Sequence, residues 1–340
     1  MGPTGRHGIL QIHPTRRCNL RCLHCYSSSG PEEREELGAA LVADAIEDAA
    51  RLGFTVVSFS GGEPVLYKPL AAMLQHAKQC GLRTTMTTNG MLLTPTVLNR
   101  LRSHLDLLAI SLDGAPASHD EMRDHPKAFS TMARRLPMVR ESGIPFGLIF
   151  TLTMHNVHEL DWAAQFAVEQ GASLLQIHPL ETVGRALVTL DGSAPDSVES
   201  TFALLEVLRI QEKYGEQLRL QLDLVLRPSM EEDPSRVFAD DCPIDGSAPF
   251  AELVSPLILE TDGTVSPLEY GFARAFALGN VHQARLADLA PHWRANVYPH
   301  FRKLCRHVYN ELAAPSNPPI FNWYEAVATA AEQSSLATPA

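Results

Sequence analysis

The sequence lacks the features of a membrane or secreted protein. No run of residues approaches the ~20 apolar positions that a membrane-spanning helix needs. The first thirteen residues contain no hydrophobic segment that could direct secretion. The chain starts with Met-Gly, but Arg6 stands where a myristoylation signal requires Ser or Thr. We therefore expect a cytoplasmic protein with no membrane partner.

Basic residues are also fewer than acidic ones. The chain has 28 Lys and Arg residues against 39 Asp and Glu residues, which gives a formal net charge of −11. Nucleic acids and anionic membranes attract basic surfaces, so this balance argues against nonspecific binding to either. We expect no nucleic-acid partner.

Cysteine is scarce, with six residues in a chain of 340. Three of the six lie in one short run and the others are scattered, which is not the pattern of a disulfide framework. The apolar content of 45% is typical of a soluble globular protein. The length predicts one large domain with a smaller unit attached.

The cysteine run follows a strand-like apolar segment at residues 9–12 and reads Cys18-Asn19-Leu20-Arg21-Cys22-Leu23-His24-Cys25. Three thiols this close together can hold one inorganic centre but leave it one protein ligand short. Iron–sulfur cubanes usually take four Cys ligands, so the run favours a [4Fe–4S] cluster with one open iron. Two alternatives stay open here: a zinc site completed by His24 or a remote residue, and reduced structural thiols.

The first half of the chain alternates between strand-like and helical segments. Glycine, Asn-Gly or Asp-Gly follows most of them. The strand-like segments are 9–12, 54–59, 83–88, 107–111, 146–153 and 174–178, and the helical ones are 37–52, 70–80, 94–104, 129–142 and 157–170. An alternation of roughly thirty residues predicts βαβ units and a parallel sheet. Six units are too few for a closed eightfold barrel, so we predict an α/β fold with a partial (β/α)6 TIM-like barrel.

Polar and glycine-rich clusters fall where the predicted strands end. They are residues 18–25, 60–64, 87–90, 111–114, 151–156 and 176–178. In parallel α/β folds, ligands bind beyond the carboxyl ends of the strands. We therefore expect these clusters to form one composite site.

Several of these clusters carry motifs that occur together in one known family. The motifs are Cys18/Cys22/Cys25, Gly61-Gly62-Glu63-Pro64, Thr88-Asn89-Gly90 and Ser111-Leu112-Asp113-Gly114. Over residues 8–190 the sequence resembles the radical S-adenosylmethionine superfamily, although His24 stands where that family usually has an aromatic residue. The resemblance implies that Cys18, Cys22 and Cys25 hold a [4Fe–4S] cluster whose fourth iron binds S-adenosylmethionine.

The resemblance also implies an activity. Reductive cleavage of S-adenosylmethionine would give a 5′-deoxyadenosyl radical that abstracts hydrogen from a substrate, with the cofactors supplying the chemistry and the protein the orientation. An electron donor such as flavodoxin or ferredoxin is implied as a partner.

By the same resemblance, Gly61 and Gly62 permit close backbone approach and Glu63 accepts from the methionyl ammonium. The alternative is a strand-to-helix turn that starts with Glu-Pro. Asn89, Ser111 and Asp113 would meet the ribose or the carboxylate of the cofactor, with plain turn chemistry as the alternative.

Two further cofactor candidates come later in the chain. Thr151 ends the fifth strand, and Arg185 lies in a Gly-Arg element that the family has after its sixth strand; a surface arginine is the alternative. We interpret Arg123, in a charged segment after the fourth strand, as structural or as part of a solvated face. His178 is a weak catalytic candidate, with a structural histidine at least as well supported.

The second half is less regular. Residues 200–214 form an amphipathic pattern that we interpret as core packing, and 228–241 form a polar, acidic loop over the site. Three later pieces resemble a SPASM or twitch extension: Asp262-Gly263, Gly279-Asn280-Val281 and Leu304-Cys305-Arg306. We expect a core at residues 1–190 and a smaller α+β extension at 191–340.

The extension departs from that pattern at a critical position. Leu268 stands where the family extension normally has a cysteine, and only Cys242 and Cys305 remain beyond residue 190. Two thiolates cannot hold a cubane without other ligands, so we predict no auxiliary cluster and two buried reduced thiols. The alternative is a metal site that His, Asp or Glu completes. Cys242, Cys305, Tyr270 and Tyr309 are candidate hydrogen donors, none favoured over the others.

Three functions are consistent with the sequence. The first is a radical enzyme that acts on a peptide or natural-product intermediate, although maturases often carry a leader-binding domain and this chain opens almost directly with its first strand. The second is a radical enzyme of small-molecule or cofactor biosynthesis. The third is a non-catalytic iron–sulfur or zinc binding module, which would not need Glu63, Asn89, Ser111 or Asp113.

Overall fold

The computed structural model describes residues 8–240 and 247–336, excluding the side chains of residues 335 and 336. Its first half alternates strands and helices as the sequence predicts. In chain order these elements are β1 (Ile9–Ile12), α1 (Ala39–Arg51), β2 (Val56–Phe59), α2 (Leu70–Gln79), β3 (Arg83–Thr88), α3 (Pro95–Leu101), β4 (Leu107–Ser111), α4 (Pro116–Met122), α5 (Ala128–Ala133), α6 (Leu136–Ser142), β5 (Phe146–Leu152), α7 (Leu160–Gln170) and β6 (Leu174–Pro179).

The second half adds shorter strands and three longer helices at its end. Its elements are α8 (Ala186–Thr189), α9 (Ser197–Tyr214), β7 (Arg219–Leu222), β8 (Val225–Leu226), α10 (Arg227–Glu232), α11 (Phe250–Leu253), β9 (Leu257–Leu259), β10 (Thr264–Pro267), β11 (Gly279–Asn280), α12 (Leu286–Asn296), α13 (Tyr298–Ala313), β12 (Ile320–Phe321) and α14 (Trp323–Leu336).

One ten-stranded sheet runs through the molecule in the order β11-β10-β9-β1-β2-β3-β4-β5-β6-β7. Strands β9 and β1 to β7 are parallel, whereas β10 and β11 join antiparallel at one edge. Strands β8 and β12 form a separate pair. This mostly parallel arrangement confirms the predicted α/β fold and partial barrel, and β7 and β9 add two parallel strands to the predicted six.

Apolar side chains of the central strands form the core. Leu108 and Ile110 of β4 and Leu148 and Phe150 of β5 are fully buried. Helices cover the sheet, so these strands are close to continuous apolar runs, as buried parallel strands usually are. The carboxyl ends of the strands consequently lie at one end of the sheet, where the polar clusters follow them.

Strand β1 is held between elements far apart in the sequence. It pairs with β2 on one side and with β9 on the other, where Leu10, Gln11 and Ile12 lie opposite residues 257–259. The sheet thus continues across residue 190. The division into a core at 1–190 and an extension at 191–340 stays a prediction.

Local expectations fail in three places. Helix α9 buries Ala203 and Ile210 in the core but exposes Phe202, Leu205 and Leu208, so the prediction of core packing for 200–214 holds for only part of the apolar pattern. The predicted loop at 228–241 contains α10 and a further helical turn at 234–236. A break between α5 and α6, just before Pro137, divides the single helix expected at 129–142. Among the described residues, no helix is long and apolar enough to cross a membrane.

Candidate active site

The cysteine run lies in a loop that follows β1, and the loop after β2 packs directly against it. The Gly62 N–H donates to the Thr15 carbonyl at 2.8 Å, and the Glu63 N–H donates to the Arg17 carbonyl at 2.9 Å. A Cβ atom on Gly62 would lie 2.4 Å from the Arg17 oxygen, and Gly61 has a φ of +100°. Because the two glycines have no Cβ, the backbone of the cysteine loop can approach them this closely.

Each of the three thiols has a hydrogen-bond donor beside it. Asn89 Nδ2 lies 4.0 Å from Cys18 Sγ, Arg123 Nη1 lies 3.7 Å from Cys22 Sγ, and the Ser29 N–H donates to Cys25 Sγ at 3.3 Å. Burial raises the pKa of Cys18 to about 12 and also raises that of Cys22. Cluster thiolates are stabilised by hydrogen bonds to their sulfur atoms, so this donor set fits an iron–sulfur cluster.

A single metal ion fits less well. Within residues 8–240 and 247–336, no three His, Cys, Asp or Glu side chains converge so that they could hold one ion. In a [4Fe–4S] cubane each thiolate binds a different iron, so its ligands need not converge on one point. The assignment of Cys18, Cys22 and Cys25 as cluster ligands stays a prediction.

Arg123 links Cys22 to a buried carboxylate. Its Nε donates to Asp113 Oδ2 at 2.5 Å, and both side chains are almost completely buried. Although burial opposes it, the charges of Arg123, His24 and His119 hold the pKa of Asp113 well below its usual range. The solvated-face interpretation of Arg123 is therefore wrong and the structural one correct. The Asp113 carboxylate, expected near the cofactor, is directed at Arg123.

Glu63 is fully buried and joins two strand ends. Its carboxylate accepts from Thr88 Oγ1 at 2.8 Å, from the Asn89 N–H at 3.0 Å and from the Val65 N–H at 3.3 Å. Burial raises the pKa of Glu63, while these hydrogen bonds lower it. The bond to Val65 caps the helical turn at residues 64–66, which is the turn role considered from the sequence. Contact between Glu63 and the methionyl ammonium stays a prediction.

Arg185 binds the cysteine loop from the opposite side. Its Nη1 donates to the Cys22 carbonyl at 2.8 Å and its Nη2 to the Ser29 carbonyl at 2.7 Å. The Arg185 N–H donates to the Cys25 carbonyl at 3.0 Å. A Cβ atom on Gly184 would fall 2.0 Å from the Tyr26 oxygen, so glycine is required for this contact. Arg185 thus holds the loop backbone in place, and its contact with the cofactor stays a prediction.

The remaining cofactor candidates end their strands as predicted. Asn89 donates from Nδ2 to Asn19 Oδ1 at 2.9 Å, which ties the end of β3 to the cysteine loop. Ser111 is buried at the end of β4. The Thr151 carbonyl of β5 accepts from Asn156 Nδ2 at 2.8 Å, and Asn156 also donates to the Asp113 carbonyl at 3.1 Å. Their contacts with a cofactor stay predictions.

His178 of β6 is hydrogen-bonded through both ring nitrogens. Nδ1 lies 3.0 Å from Asp223 Oδ2, and Nε2 lies 3.0 Å from Glu181 Oε1. Burial opposes protonation, but these two hydrogen bonds raise the pKa of His178 to about 10. Asp223 also accepts from Gln176 Nε2 at 2.6 Å. These contacts support the structural interpretation of His178.

Tyr270 brings the second half of the chain to the cysteine loop. Its ring stacks on His13 with centroids 4.9 Å apart and lies 5.8 Å from the ring of Tyr26. Burial raises the pKa of Tyr270 to about 12. Sequence reasoning missed His13 and Tyr26, and their only signal was their position on either side of the cysteine run.

The cysteines outside the loop differ in their surroundings. Cys305 is buried in α13, as expected of a core thiol. Cys242 lies outside the described residues. Cys80 is half-buried at the end of α2, with its Sγ 3.9 Å from His76 Nε2. Tyr309, the other candidate hydrogen donor, packs against Phe238 with ring centroids 5.8 Å apart.

Comparison with known proteins places this site in a family. Residues 12–167 match the model of the Radical SAM superfamily. Over these residues the chain carries a Radical SAM domain. This superfamily uses a [4Fe–4S] cluster and S-adenosylmethionine, so the two cofactors expected from the resemblance are confirmed at the level of the family. The SPASM-like resemblance of the C-terminal region stays a prediction.

The relatives of this radical SAM chain include biosynthetic enzymes. It is 33% identical over 199 residues to the Fe-coproporphyrin III synthase of Methanosarcina barkeri, an alignment that covers 57% of this chain and 50% of the relative. It is 32% identical over 184 residues to the mycofactocin maturase MftC of Mycolicibacterium smegmatis, an alignment that covers 53% of this chain and 46% of the relative. The chain spans about half the length of the curated relatives it matches.

Solved structures of radical SAM proteins share the fold. Streptococcus suis SuiB bound to S-adenosylmethionine gives a TM-score of 0.66 at 17% identity, with 87% of this chain and 68% of that chain covered. anSMEcpe with bound AdoMet gives a TM-score of 0.64 at 16% identity, with 96% of both chains covered. At these identities the likeness concerns the fold alone.

Proposed function

We propose that this chain cleaves S-adenosylmethionine reductively at a [4Fe–4S] cluster held by Cys18, Cys22 and Cys25. The resulting 5′-deoxyadenosyl radical would take hydrogen from a small-molecule intermediate of cofactor biosynthesis. The observation that carries the proposal is the cysteine loop, whose three thiols each lie beside an N–H donor at the carboxyl ends of the barrel strands. A flavodoxin or ferredoxin is the proposed electron donor.

The residues of the chain would position the cofactors. Arg185 and the Gly61-Gly62 turn fix the loop backbone, while Asn89, Arg123 and the Ser29 N–H would donate to the cluster sulfur ligands. The bound cofactors would supply the electron transfer and the radical. Glu63 has three donors on its carboxylate and lone pairs for one more, as contact with an ammonium requires.

Cofactor biosynthesis is better supported than a peptide substrate. Relatives at 30–33% identity include Fe-coproporphyrin III synthase, AdoMet-dependent heme synthases and pre-heme d1 synthase. SuiB with its bound precursor peptide SuiA shares the fold at 16% identity, which carries no information about the substrate. Our first expectation, a peptide or natural-product intermediate, therefore takes second place.

Anaerobic reconstitution tests the proposal. Iron and sulfide are counted and 5′-deoxyadenosine is followed under a strong reductant, for the wild type, for Cys22→Ala and for Cys80→Ala as a matched control. We expect about four irons per chain and 5′-deoxyadenosine in the wild type and the control, with both lost in Cys22→Ala. Roughly twice that iron would reveal an auxiliary cluster. Bound zinc, or a cluster that never cleaves S-adenosylmethionine, would favour the binding module instead.

A further inference from the structure

A group of carboxylates surrounds His178 beyond the ends of β6 and β7. Glu181 and Asp223 each accept a hydrogen bond from the imidazole at 3.0 Å. Glu269 and Glu325 complete the group, because Glu269 interacts electrostatically with Glu181, Glu325 and His178. We call these five residues the acidic site.

Glu269 is the unusual member of the acidic site. The residue is 7% exposed, and its carboxylate is not completely shielded from solvent. Within the described part of the chain, its carboxylate has no hydrogen-bond donor and no ion-pair partner. A buried carboxylate without a partner carries a desolvation penalty, and such groups in native proteins commonly have a functional reason.

The neighbours of Glu269 hold it in place. Tyr270 stacks on His13 and lies beside Tyr26, which directly follows Cys25. Leu268 adopts a φ of +65°, and its N–H donates to the Pro256 carbonyl at 2.9 Å. Glu181 also interacts electrostatically with Tyr26. The acidic site therefore adjoins the cysteine loop, where a substrate of a radical enzyme would lie.

The site carries an excess of negative charge. Glu181 and Asp223 hydrogen-bond the imidazolium of His178, and Glu269 interacts electrostatically with His178, with Glu181 and with a fourth carboxylate, that of Glu325. Burial, together with the charges of Glu181 and Glu325, raises the pKa of Glu269 to about 8. Burial also raises the pKa of Glu325. A cation bound among these groups would relieve both the repulsion and the missing hydrogen bond.

We propose that the acidic site binds a protonated amine of the substrate, with the Glu269 carboxylate as its direct partner. The inference rests on the proposed function for the statement that the ligand is the substrate. A metal ion fits less well, because in the described residues no three potential ligands converge on one point. Porphyrins carry propionate groups, which this site would repel. The substrate would thus differ in charge from the product named for the Methanosarcina barkeri relative.

Binding of small probes to the reconstituted protein tests the site. n-Butylammonium and its anionic counterpart butyrate are titrated at about pH 8.5 and followed by ligand-observed NMR. We expect n-butylammonium to bind the wild type and the exposed control variant Glu252→Gln equally. Glu269→Gln should weaken this binding by at least about tenfold, the loss of one charge-assisted contact. Butyrate should not bind.

The affinity should also depend on pH. The groups that interact electrostatically with Glu269 are His178 of β6, Glu181 just after β6, and Glu325 and Glu332 of α14. Asp223, after β7, reaches the site through its hydrogen bond with His178. Binding needs the ionised carboxylate, so affinity should rise as pH increases toward about 8 and level off above it. His178 and the probe both stay protonated through this range. A flat profile between pH 6.5 and 8.5 would contradict the role of Glu269.

The outcomes separate this proposal from the proposed function. Equal binding by Glu269→Gln, preference for butyrate, or no binding of n-butylammonium would each overturn the acidic site. Formation of 5′-deoxyadenosine, measured on the same samples, reports on the radical activity independently. If Glu269→Gln fails to fold, Glu325→Gln provides the same test and should weaken n-butylammonium binding.

Discussion

The cysteine loop and the acidic site lie at the same end of the sheet, but they are stabilised in opposite ways. Arg185 and the Gly61-Gly62 turn fix the loop through main-chain hydrogen bonds, and a donor lies beside each thiol. In the acidic site, Glu269 is buried without a partner among the described residues. The contrast indicates that hydrogen bonds within the chain fix the cysteine loop. In the acidic site, by our proposal, a ligand would supply the partner that Glu269 lacks.

The largest effect should come from breaking the packing of the loop. In Gly62→Ala the new methyl group would collide with the Arg17 carbonyl, because its Cβ would lie 2.4 Å from the carbonyl oxygen. We expect reconstituted Gly62→Ala to lose most of its iron. Gly38→Ala is the matched control, because a Cβ there meets nothing within 4 Å and should leave the iron content unchanged. An iron content equal to that of the wild type in Gly62→Ala would mean that cluster binding does not need the close contact between Gly62 and Arg17.

Arg123→Met should give the largest loss of folding stability. It leaves the Asp113 carboxylate buried and unpaired, which typically costs about 3–5 kcal/mol of unfolding free energy. Arg209→Met, which removes the exposed pairs with Glu206 and Asp161, should leave the unfolding free energy almost unchanged. Urea unfolding measures both. The double variant Arg123→Met/Asp113→Asn should recover part of the loss, and no recovery would contradict the pairing.

In the acidic site, His178 should make the unfolding free energy of the chain depend on pH. Its pKa is about 10 in the folded chain and about 6.5 when unfolded. The stabilisation is therefore fully present below about pH 6.5 and is lost as pH rises through 10. We expect the unfolding free energy of the wild type to fall between pH 7 and 10 more steeply than that of His178→Gln. Parallel curves would show that the hydrogen bonds to Glu181 and Asp223 do not stabilise the imidazolium.

The smallest effect should be on α9. Leu205 is 59% exposed, so Leu205→Ser should change the unfolding free energy by less than about 0.5 kcal/mol. Leu148→Ala, at a fully buried position of β5, should cost about 2–5 kcal/mol in the same urea titration. A large loss in Leu205→Ser would mean that α9 does pack its apolar face.

The barrel was predictable because its signals are local. Apolar runs, helical spacing and terminal glycines identified β1 to β6, and the rule for parallel strands brought the polar clusters to one end. Amphipathic spacing predicted the helix at α9 but not its exposure, since the same spacing arises whatever the helix faces.

The contacts inside the site were not predictable in the same way. Arg123 meets Cys22 from a hundred and one residues away, and Arg185 meets the same residue from a hundred and sixty-three. Spacing alone carries no information about such partners. Glu269 drew no attention beside Leu268, because its unusual feature is burial without a partner, which appears only in three dimensions.

The position of β1 also has a consequence for synthesis. The Ile9 N–H donates to Ser255 Oγ at 3.1 Å, and the His13 N–H donates to the Leu259 carbonyl at 2.9 Å. At ribosomal rates of about 5–20 residues per second, the nascent chain waits roughly 10–50 s between making β1 and making β9. During that time one edge of β1 is open to pairing with other strands. The segment that carries the cysteines is therefore translated long before its strand can pair with its second neighbour.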